Sequence, residues 1–64
     1  MNKKVIVRKY KEEGEEWEEV SLQDAIDRLS AYWIPSTIES MLMDEGLTLW
    51  NPFAEYKAVY KDSL

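Results

Sequence analysis

The chain has 64 residues, 13 acidic against eight basic side chains and a net charge of −5, with neither Cys nor His. That length allows a single small domain, 1–64, and the missing residues exclude a disulfide scaffold, thiolate or imidazole metal ligands and the usual neutral-pH proton shuttle. These absences argue against an enzyme. No catalytic, cofactor-binding or metal-binding residue is assigned.

Charge is segregated along the chain. Residues 1–11 carry five cations and no acid, while 12–19 carry six glutamates and no cation. The first stretch, Lys3 to Tyr10, is rich in β-branched and aromatic residues and predicts a strand, with Val5, Val7 and Lys9 on one face and Ile6, Arg8 and Tyr10 on the other. Gly14 within the glutamate run predicts a turn, after which Glu16-Trp17-Glu18 returns as a short second strand. Cations of the first strand would then face glutamates of the second, a favourable cross-strand arrangement.

Ser21 opens a helix signature. Its hydroxyl is placed to cap the first turn with Asp24 at the third helical position, Val20 precedes it as a staple, and Leu22, Ala25, Ile26, Leu29, Tyr32 and Trp33 recur at helical spacing. Pro35 ends that run. A second helix is predicted from Ser36, which forms a capping-box pattern with Glu39; Ile38, Met41 and Leu42 face inward and Gly46 stands at the left-handed C-terminal position. Two short helices around Pro35 suggest a helix-turn-helix, but Glu39, Asp44 and Glu45 oppose insertion into a DNA groove.

The C-terminal segment has two readings. Leu47 to Trp50 and Ala54 to Lys61 alternate as a strand pair about Asn51-Pro52; equally, Asn51 can cap a helix whose face carries Phe53, Tyr56 and Tyr60. The strand pair is favoured because a lone first hairpin needs further strands. The expected fold is α+β: a small antiparallel sheet with two short helices packed on one face, in the order β-β-α-α-β-β.

The carboxylates are abundant but occur mainly as adjacent glutamates, which ordinarily form solvated surface rather than the separated, partly desolvated pair of a general acid and base. No oxygen-ligand calcium loop and no glycine-rich phosphate loop occurs. Eight aromatic residues are the other outlier. Tyr32, Trp33 and Trp50 suit a core with Leu29 and Leu42. Trp50, Phe53, Tyr56 and Tyr60 are the candidates for a homodimer interface, because apolar burial and chain ordering nearly cancel, at roughly 100 kcal/mol each, in so short a chain.

The glutamate cluster from Glu12 to Glu19, together with Asp24, Asp27, Asp44 and Glu45 and the aromatic surplus, resembles the small acidic phage-encoded inhibitors of host defence or DNA-processing proteins. The likeness is to a class rather than to a sequence family. It implies a non-enzymatic protein-binding module, located in the cytoplasm of the host cell, that meets a basic surface of a host protein through Glu15, Glu16, Glu18, Glu19, Asp24 and Asp27. Alternatives are an accessory subunit of a larger complex, or a nucleic-acid binder using the basic first strand, against which the acidic balance argues. No stretch reads as membrane-spanning or as a targeting signal, and no membrane partner is expected.

Overall fold

The β-branched run of the N-terminal segment forms the first strand, β1 (Lys4–Tyr10), followed by β2 (Glu18–Val20), α1 (Leu22–Leu29), α2 (Pro35–Glu39), β3 (Leu49–Trp50) and β4 (Ala54–Tyr60). This computed structural model describes residues 3–12 and 16–61; the expected turn at Gly14 lies outside them. The four strands form one antiparallel sheet in the order β2-β1-β4-β3, and the helices pack on one of its faces.

The cross-strand expectation is met at one pair, with the second strand shifted along the chain. Glu18, rather than Glu16, is the first residue of the returning strand and sits opposite Arg8, with Glu19 opposite Val7 and Val20 opposite Ile6. Alternation then sorts the side chains. Ile6, Leu49, Ala54 and Tyr56 face the helices and form the core with Ala25, Leu29, Ile38 and Leu42. Val5 and Val7 point the other way, yet both are buried. On that side Trp17 lies between two cations, 4.2 Å from Lys57 Nζ and 5.2 Å from Lys9 Nζ measured to the ring centre.

The Ser21 cap forms as expected, its Oγ accepting from the Asp24 N–H at 3.0 Å. The second cap does not. Pro35 occupies the first helical position, extended Ile34 precedes it, and Ser36 lies inside α2 without capping it. Proline's fixed φ suits a helix start and moves the cap position from Ser36 to Ile34, two residues upstream. A π-helical turn, Ser40–Asp44, continues α2. It ends at Gly46, whose φ of +68° meets the left-handed expectation, and Leu47 N–H closes back on Met41 C=O.

Tyr32 also departs from expectation. Regular helix stops at Leu29, where the Tyr32 N–H turns back to the Leu29 carbonyl three residues away in a tightened last turn. Tyr32 is therefore carried out of the core and is 55% exposed, while Trp33 remains half-buried. The C-terminal alternatives resolve in favour of the strand pair. Asn51 N–H bonds Ala54 C=O at 3.0 Å around Pro52 and Phe53, and the Asn51 Oδ1 accepts from both Phe53 and Ala54 N–H at 2.8 Å. The Asn51 N–H bond to the Ala54 carbonyl closes a two-residue hairpin turn, which a helix start lacks.

Candidate functional site

Two groups of side chains carry the chemistry the sequence singled out. The first surrounds Arg8, whose side chain is only 10% exposed. Its Nη2 donates to Glu18 Oε1 at 2.7 Å and its Nη1 to Asp24 Oδ2 at 3.0 Å, while the guanidinium stacks over the Tyr10 ring at 4.6 Å. Asp24 also accepts from Arg28 Nε at 3.1 Å, four residues on. Burial works to lower the Arg8 pKa, but the hydrogen bond to Glu18 and the neighbouring Tyr56 and Tyr10 outweigh it, and the value is raised. The Asp24 hydrogen bond likewise raises that of Arg28. Both cations are fixed in charge across neutral pH.

This arrangement redistributes the six carboxylates expected to face a partner. Glu18 and Asp24 tie β2 and α1 to β1. Glu19 lies 4.0 Å from Lys61, Asp27 accepts from Gln23, and Glu16 stands exposed. Glu15 lies outside the described residues. The five described ones do not form a continuous acidic face. Nor is the basic first strand an open arm: β1 is interior to the sheet, Lys4 Nζ donates to Met43 C=O at 2.7 Å, and Lys9 lies on Trp17.

The second group lies where the turn at Pro52 and Phe53 meets the chain between α1 and α2. A cavity of about 440 Å³ opens there, with Tyr10, Ala54 and Tyr56 as the sheet side, Arg28, Ala31 and Tyr32 as the helix side, and Phe53 and Asn51 at the turn. A second hollow of about 390 Å³ shares Tyr32 and Asn51 and is walled by Trp33, Trp50, Pro52 and Lys11. Tyr32 thus stands between two adjoining recesses. Trp33 fixes this edge: its ring meets Trp50 edge-on at 5.3 Å, and its Nε1 donates to the Trp50 carbonyl at 2.9 Å. The indole covers a carbonyl of edge strand β3 that would otherwise invite another strand.

Of the four rings expected at a dimer interface, Phe53 and Trp50 belong to this surface, at 66% and 52% exposure. Tyr56 does not. It is 1% exposed and a core residue, since its position in β4 points to the helices. Tyr60 is 47% exposed but lies at the far end of β4, about 20 Å from the turn at strand rise per residue. Nor is β4 an edge strand at the turn: it runs between β1 and β3 as far as Tyr56, and only its far end, beyond Tyr56, has no β3 partner.

Tyr10, Tyr32, Arg28 and Asn51 are the site residues that sequence reasoning missed. The Asn51-Pro52 pair carried a usable signal, because an Asn before a two-residue turn commonly bonds backbone N–H groups and brings its neighbours together. Tyr10 and Tyr32 carried none. The lining groups stack and donate hydrogen bonds, the chemistry of recognition surfaces rich in Tyr and Arg. Among the described residues, no group of three or more carboxylates is placed to hold a metal ion, and no helix is long and apolar enough to cross a membrane. A scan against protein-family models and searches of curated proteins and of solved structures return no match to this chain.

Proposed function

We propose that the chain is a non-enzymatic protein-binding module whose principal contact is the aromatic surface formed by Tyr32, Trp50 and Phe53 around the two adjoining recesses. The supporting observation is that these large rings stand in solvent at one end of a domain that buries Leu29, Ile38, Leu42, Leu49 and Tyr56 almost completely. Clustered exposed apolar groups beside donors such as Arg28 are typical of docking surfaces, where Trp, Tyr and Arg supply most of the energy. The exposed carboxylates Glu16, Glu19 and Asp27 speed the approach of a partner with a basic surface. The resemblance to phage-encoded inhibitors of host defence or DNA-processing proteins gives this binding an inhibitory purpose in a host cytoplasm; that part rests on the class likeness alone.

Capture from cell extract on immobilised protein tests the reading. A partner retained in about 0.5 M salt, and lost when Tyr32→Ala is combined with Phe53→Ala, supports an apolar contact. Equal retention by the double variant overturns it. Self-association is the second reading, favoured by the outward projection of Trp50 and Phe53; sedimentation at micromolar concentration giving twice 7.6 kDa, reversed by Trp50→Ala, supports a homodimer.

A further inference from the structure

The ladder between β1 and β4 fixes which way each peptide group of β4 points. At its two ends, Lys61 N–H donates to Lys3 C=O at 2.7 Å and Lys11 N–H to Phe53 C=O at 2.9 Å. Antiparallel bonds recur at every second residue, so Glu55, Lys57 and Val59 turn their backbone groups toward β1. Ala54, Tyr56, Ala58 and Tyr60 turn theirs the opposite way. The β3 side engages the first two, through Asn51 and through Leu49 opposite Tyr56, and then leaves the sheet, where Leu47 N–H bonds Met41 C=O. Among the described residues, no strand pairs with the outward N–H and C=O groups of Ala58 and Tyr60. Sheet edges of this kind are normally paired, twisted away or covered.

The side chains along this open stretch are cationic. Lys57, whose Nζ lies 4.2 Å from the Trp17 ring centre, and Lys61 flank Val59 on the face away from the helices, and Lys4 lies under the Tyr60 ring on the other. Glu19, 4.0 Å from Lys61, is the only acid within ion-pair distance of Lys61 among the described residues. A second copy is disfavoured here, because the two-fold register that pairs Ala58 with Tyr60 of the copy sets Lys57 opposite Lys61 twice. Like charges directly opposed destabilise a strand pair.

We infer that the outer edge of β4, from Lys57 to Lys61, accepts an extended acidic segment of a partner protein as an added strand. The backbone of Ala58 and Tyr60 supplies the hydrogen bonds. The segment carries two carboxylates four residues apart, opposite Lys57 and Lys61, with an apolar residue between them opposite Val59. This surface is distinct from the aromatic end and stands or falls independently of it.

A peptide containing Glu-Thr-Val-Thr-Glu and its Lys-Thr-Val-Thr-Lys counterpart test the inference by amide exchange and backbone NMR. The acidic peptide should slow exchange at the Ala58 and Tyr60 amides, and the basic one should not. Lys57→Glu with Lys61→Glu should weaken the acidic peptide about tenfold at low salt, the effect of reversing two cross-strand pairs, and make the basic peptide the better ligand. Ala58→Pro removes only an outward N–H and should abolish binding while keeping the β1 ladder. Tyr32→Ala with Phe53→Ala should leave peptide binding unchanged. Failure of the acidic peptide to protect these amides overturns the inference. So does indifference to the two lysine reversals, or protection that appears without peptide and grows with protein concentration, which would mark a second copy as the occupant.

Discussion

At Arg8, a cation on an inner strand gathers Glu18 from β2 and Asp24 from α1 beneath a tyrosine ring, and the cation is internal while its two carboxylates stay partly in water. At the turn of Pro52 and Phe53, large apolar rings project into solvent around two recesses. Surface chemistry has moved inward in one region and core chemistry outward in the other. A small domain has few ways to anchor a three-residue edge strand, and one buried guanidinium with two forks joins three elements at once. The exposed rings of Tyr32 and Phe53 tie no elements together in this way. The contrast therefore separates residues that keep the fold from residues available for contact.

Substitutions sharpen this division, the largest effects falling on the structural side. Tyr56→Ala removes a fully buried ring and should cost about 3–5 kcal/mol, enough to unfold most of the protein, as read by urea denaturation. A folded Tyr56→Ala variant with altered association only would return that ring to an interface. Arg8→Ala should cost about 2 kcal/mol, less than a fully buried pair because Glu18 and Asp24 are half in water and rehydrate. The raised Arg8 pKa adds a sign. Its contribution is complete below the unfolded value and declines only as pH rises through the higher folded value, so its own titration leaves stability unchanged from neutral to moderately alkaline pH.

Smaller effects discriminate the two caps. Ser21→Ala should destabilise by about 1 kcal/mol in thermal unfolding, whereas Ser36→Ala, at a position whose hydroxyl caps nothing, should change stability by under about 0.5 kcal/mol. Equal losses at both serines would mean that the capping box forms after all. The smallest change belongs to Phe53→Ala, under about 0.5 kcal/mol by urea denaturation, because its ring packs little against the core.

Local chemistry was legible wherever one residue type decides the outcome. Ser21 capped α1, Gly46 took a positive φ, and the β-branched run from Val5 to Val7 formed a strand in which Arg8 faces Glu18. Errors arose where two signals competed. Pro35 and Ser36 both mark helix starts, and the rigid ring prevailed over the hydroxyl. At Tyr32 the apolar spacing continued past the point where the backbone had already turned. The site was less legible, because it depends on tertiary placement. Nothing local shows that Tyr10, Arg28 and Asn51 converge, or that Glu18 and Asp24 share one guanidinium.

The division itself is tested most directly by comparing two double variants in parallel, Glu18→Gln with Asp24→Asn and Tyr32→Ala with Phe53→Ala, each measured for urea stability and for retention of the captured partner. The account predicts that the amide pair loses about 1–2 kcal/mol and retains the partner, while the alanine pair stays within about 0.5 kcal/mol of the parent and loses it. An amide pair that keeps its stability but loses the partner, beside an alanine pair that still binds, would contradict it.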